Sequence, residues 1–146
     1  MKLEISSVLQ LKKIQINRFK IEENIEGINK IRLYSDFDLI VWSEKDDSDK
    51  QNKGIHFVLK VNEKVKNPAL KCLIDLIVLF SIDKNISEDQ QIKFILYNGL
   101  SIVYGIVRGM VYQACSILPP SMRMLPTVDL NRLIKLKLEE IKASST

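Results

Sequence analysis

The residues able to do chemistry are few. The chain of 146 residues has one histidine, His56, and two cysteines, Cys72 and Cys115. A single imidazole removes most acid–base and metal constellations, which need a second nitrogen, thiol or carboxylate at defined spacing. No P-loop, GxGxxG, CxxC or HExxH pattern occurs. Asp36 and Asp38 share a parity and would project together from a strand, but paired carboxylates on a polar strand face are ordinarily solvated. His56 falls on the polar parity of its own segment, where solvent contact is expected. No catalytic residue, metal ligand or cofactor is assigned, and the chain is read as not being an enzyme.

Composition narrows the classes further. Hydrophobic residues at 46% and charged residues at 27% describe a soluble globular protein, and this length suits one domain, 1–146, that buries about 70% of its unfolded surface. Cys72 sits in an apolar strand pattern and Cys115 in an apolar helical one, so both are expected as reduced core residues. The first thirty residues contain no apolar signal-peptide core, which makes the cytoplasm the expected location. The net charge of +4 comes from 22 basic and 18 acidic residues. Because the basic residues are interleaved with acids, solvated faces are expected rather than nucleic-acid binding.

The elements that must position any site are organised around Phe94 to Leu118, an apolar stretch whose one charged residue is Arg108. Ile102, Ile106, Met110 and Ile117 form one helical stripe, and Val103, Val107 and Val111 fill the next. Such a helix is expected between two layers, one its own sheet and the other a second subunit. Only fourteen uncharged residues separate Lys93 from Arg108, fewer than the roughly 20 that a membrane span needs, so no membrane insertion is expected. Gly105 and Gly109 have the small-xxx-small spacing of a close helix crossing.

Strand patterns precede that helix. Val8 to Ile21 alternates but changes phase twice, which predicts a long strand bulged near Lys12 and Asn17. Ile31 to Trp42 keeps one parity, with Ile31, Leu33, Phe37 and Leu39 on one face. A polar loop, residues 43–54, leads to a third strand in which Ile55, Phe57, Leu59 and Val61 alternate with His56, Lys60 and Asn62. Leu70 to Ile82 is a fourth strand, apolar on both faces, so a covering layer is expected there too. Ser87 with Gln90 is a capping-box signature opening the helical half, and Asn98-Gly99 is expected to break it into a short helix and a long one. Pro119-Pro120 ends the long helix, and Asp129 caps a last helix striped by Leu130, Leu133, Ile134, Leu138 and Ile141. The fold class is α+β: a four-stranded antiparallel sheet followed by a long helix and a C-terminal helix.

Two blocks of this sequence resemble the SecB protein-export chaperone family. Cys72 to Ile82, closing in Phe80-Ser81-Ile82, resembles the family's fourth strand. YGIVRGMVYQACSILPPSMRMLPTVDLNRL, Tyr104 to Leu133, is similar without a gap to its long helix, proline loop and start of the last helix, with Arg108 on the family's helix arginine. The similarity is at residue level over about a third of the chain and architectural over most of the rest.

The resemblance implies an ATP-independent holdase for unfolded polypeptides, such as preproteins or an aggregation-prone antitoxin, working as a homotetramer built as a dimer of dimers. It implies a client groove lined by Ile31, Leu33, Tyr104, Ile106, Ile134 and Leu138, and a helix-packed subunit interface at Gly105, Arg108, Gly109 and Tyr112. Leu73 stands where the family has a glutamate, and Arg18 near the place of an aspartate, which argues against docking to the translocation motor SecA. SecB-like chaperones also occur beside toxin–antitoxin pairs, guarding an aggregation-prone antitoxin, or in phage and mobile elements, so holdase activity is expected rather than an export role. Two other classes stand beside the chaperone: an oligomeric structural or interaction protein, and a nucleic-acid-binding module using the positive charge.

Overall fold

The computed structural model describes residues 1–4, 8–41 and 50–144. Four strands come first: β1 (Leu9–Glu23), β2 (Leu33–Val41), β3 (Lys50–Val61) and β4 (Leu70–Asp83). They form one antiparallel sheet in the order β1-β4-β3-β2. The helical half follows as α1 (Glu88–Phe94), a π-helical turn (Ile95–Gly99), α2 (Leu100–Ala114), the short α3 (Pro120–Arg123) and α4 (Asn131–Ser144). This is the expected α+β order. The expected ends of β2 at Trp42 and of its loop at residues 43–49 lie outside the described residues. The remainder of that expected loop, Lys50 to Gly54, is strand paired with Leu79 to Asp83.

The two bulges of β1 fall where the phase changes predict them. Its register against β4 shifts between Leu11 and Lys13 and again between Ile16 and Arg18. Each shift skips one residue, Lys12 or Asn17, and so returns the next apolar side chain to the same face. Leu11, Ile14, Ile16, Phe19 and Ile21 therefore lie opposite Phe80, Val78, Leu76, Ile74 and Cys72. That β4 row is at most 4% exposed, because the helices lie on it. The other β4 row, Leu73, Asp75 and Ile77, is half-buried on the outer face of the sheet.

Glycine at position 99 answers to packing. A Cβ there would meet the Phe80 ring at 3.2 Å and the Ile55 side chain at 3.4 Å. The helix does not break at Asn98-Gly99 as the sequence predicts; the chain stays helical through the π turn from α1 into α2. One extra residue in that turn keeps Ile95, Leu96, Gly99, Leu100 and Val103 buried. Ser87 caps α1 by accepting from Gln90 N at 3.3 Å, as expected. The run Glu88–Ala114 is 27 residues long and apolar enough to cross a membrane by length and composition, with 44% of its most apolar window buried against the rest of the chain.

Asn62 departs from its expected place on a polar strand face. It is 1% exposed and takes a left-handed φ of 57° at the end of β3, a conformation that asparagine tolerates better than most residues. Its amide donates to the carbonyls of Lys30 and Leu70 and accepts from Arg32 N. It thereby ties the long β1–β2 connection to the β3–β4 turn.

Candidate polypeptide-binding surface

The six groove residues divide by burial. Ile134 is 2% and Tyr104 7% exposed, and both belong to the core between helices and sheet. Ile31, Leu33 and Leu138 are half-buried and pack against that core from its edge. Ile106 is half-buried as well. Leu33 faces Val61 on the helix side of β2. Lys137 fastens α4 to the same strand: its ammonium lies 5.4 Å from the centre of the Phe37 ring and donates to Asp38 at 3.0 Å. Burial alone would lower the Lys137 pKa, but the Asp38 and Glu140 carboxylates outweigh it and raise it. The chain thus brings the β2 edge and the α4 stripe together, and closes Ile134 and Tyr104 beneath them.

Three residues spaced four apart on α2 hold the proline loop. Tyr104 donates its hydroxyl to Pro126 O at 2.6 Å, Arg108 Nε donates to Leu125 O at 3.0 Å, and the Tyr112 ring lies 4.7 Å from the Arg123 guanidinium. That spacing aligns them along one helix face. Burial raises the Tyr104 phenol above its usual pKa, with Arg108 pulling the other way, so the hydroxyl stays a neutral donor. Arg108 and Tyr112, expected at a subunit interface, have these partners within their own chain. Gly105 and Gly109 differ. Both are exposed, and a Cβ on either would meet nothing within 4 Å.

Apolar side chains also remain uncovered on β1 and α2. On the helix side of β1, Leu11 is 43%, Ile14 37% and Ile16 53% exposed, and on α2 Ile102 is 41% exposed. β1 is an edge strand of 15 residues, and a long apolar edge attracts other chains unless charges or bulges interrupt it. Here Lys12, Lys13 and two bulges do so. The strip was legible only as a phase pattern, since nothing in the sequence reveals that α2 leaves it bare.

The two thiols are buried and the one imidazole is half-buried. Among the described residues no three of His, Cys, Asp and Glu could share a metal ion. Burial pushes the Cys72 thiol up to about 12 and Cys115 up to about 11, so both are inert thiols within the core. His56 is not simply solvated, as its parity suggests, but pairs with Asp75 at 2.7 Å across the outer face.

No family model matches the chain, and no curated protein matches it. Among solved structures it is similar to the Mycobacterium tuberculosis Rv1957 SecB-like chaperone, solved in complex with a ChAD peptide from the Rv1956 HigA1 antitoxin. That match has a TM-score of 0.53 and 15% identity over 84% of this chain and 92% of the other. A protein of unknown function from Streptococcus agalactiae matches at a TM-score of 0.45 and 14% identity, over 83% of this chain and 96% of the other. The likeness to the mycobacterial structure, together with the order of strands and helices, gives this chain a SecB-like α+β fold.

Proposed function

We propose that the chain is an ATP-independent holdase that binds unfolded polypeptides as a homo-oligomer, a dimer of dimers, in the cytoplasm. The observation that carries this reading is the bare strip of Leu11, Ile14 and Ile16. Two bulges keep these side chains on the helix side of the sheet together with Leu9, Phe19 and Ile21, yet only the latter three pack against the chain's own core. Covering what is still exposed of such side chains contributes on the order of 1 kcal/mol each, which another polypeptide can supply.

Within this reading, Gly105 and Gly109 let a second subunit's helix approach α2. Clients take two apolar surfaces, the bare strip on β1 and the partly open edge formed by Ile31, Leu33, Ile106 and Leu138, which has Tyr104 and Ile134 as its floor. The SecB-like neighbour was solved with a peptide from an antitoxin, which supports an aggregation-prone antitoxin as one client class. Suppression of aggregation of several unrelated unfolded proteins, at near-stoichiometric ratio and without nucleotide, tests the proposal. Self-assembly without any such suppression would instead favour the structural-protein reading.

A further inference from the structure

The outer face of the sheet, opposite the helices, carries a hollow of about 570 Å³ around Leu73. Register places Leu73 directly between Lys20 on β1 and Lys60 on β3, so the backbones of two lysines stand roughly 10 Å apart, two strand spacings, with an apolar residue between them. Arg18 and Lys71 line the same hollow, and Val58 adds a second apolar group to its floor. Lys60 already pairs with Glu63 at 3.5 Å, and Asp75 with His56. Among the described residues, no ion pair or hydrogen bond holds the side chains of Arg18, Lys20 or Lys71. A neighbouring hollow shares Lys60 and Glu63 and extends the surface with Arg32 and Lys64.

We propose that this outer face docks an acidic polypeptide segment, one whose carboxylates flank an apolar side chain seated on Leu73. Charge complementarity selects the occupant: three cations without partners around an apolar centre attract carboxylates, steer encounter and fix register. A nucleic acid fits less well, because Glu22, Glu63 and Asp75 interrupt the positive surface where a phosphate backbone needs an unbroken track. The surface is separate from the helix side, so the inference stands or falls independently of client holding.

Fluorescence anisotropy with the full chain tests it. The probe is a short labelled peptide with glutamates on both sides of one leucine; the controls are its lysine-for-glutamate counterpart and a single-stranded oligothymidylate. The glutamate peptide is expected to bind, its counterpart not, and affinity is expected to fall as salt rises. Lys20→Glu combined with Lys71→Glu is expected to weaken binding about tenfold or more, and Leu73→Ser several-fold, at an unchanged thermal midpoint. Lack of binding, equal affinity for the charge-reversed variant, or tighter binding of the oligothymidylate would each overturn the proposal.

Discussion

The Tyr104 hydroxyl donates to the Pro126 carbonyl at 2.6 Å, and this contact joins the long helix to the loop that delivers α4. With Arg108 bonding Leu125 one turn on, α2 holds the loop at two consecutive residues. Tyr104→Phe removes one donor and keeps the ring. A loss of about 1 kcal/mol is expected, read as a lower urea midpoint at unchanged slope, with a larger loss when Arg108→Leu is added.

Glu23 gives the fold a pH dependence. Its carboxylate accepts from the backbone N–H groups of Ser116, Ile117 and Leu118 at 3.0 to 3.2 Å, bracing the turn after α2. Burial pushes its pKa up, yet these donors outweigh it and hold the group below the ordinary value of 4.5. A depressed folded pKa contributes stability that is present above 4.5 and lost as pH falls through the folded value. Glu23→Gln should therefore lower the thermal midpoint at pH 7, and the gap to the parent should close in acid. A constant gap across that window would remove the carboxylate from the account.

How much of this was readable in the sequence depends on whether the partner is a side-chain pattern or a backbone atom. The bulges at Lys12 and Asn17 were legible because a phase change in alternation has one physical remedy. The apolar row of β4 was legible for the same reason. Gly99 misled, since a glycine after asparagine signals a turn, whereas here it makes room for Phe80 from a distant strand. Asn62, Tyr104 and Arg108 bond to backbone carbonyls, and every residue has one, so their partners leave no trace in composition or spacing.

Groove residues differ in what their loss should do. Ile134→Ser strikes a side chain that is 2% exposed and should cost about 2 to 5 kcal/mol, in the range of core truncations. Leu138→Ser, at a half-buried position, should leave the chain folded and weaken holding. Thermal midpoints measured beside aggregation assays on each single variant separate the two. A folded Leu138→Ser that holds clients as well as the parent would remove that edge from the client site.

Assembly should depend on the two open glycines. A Cβ at Gly105 or Gly109 touches nothing within the chain, so Gly105→Ala and Gly109→Ala should stabilise the isolated helix by about 1 kcal/mol each. Gly109→Trp should instead shift the oligomer toward smaller species without unfolding it. Light scattering over a dilution series reads this directly, and an unchanged mass for Gly109→Trp would place the subunit contact elsewhere.

In the proposed holdase, the bare strip on β1 binds polypeptide. Suppression of aggregation, measured without nucleotide for the parent and for Leu11→Ser, Ile14→Ser and Ile16→Ser combined, tests it most directly. These side chains are 37 to 53% exposed, so the variant should keep its fold while holding weakens by roughly tenfold or more. A parent that suppresses no aggregation, or a folded triple variant that holds clients equally well, would contradict the account.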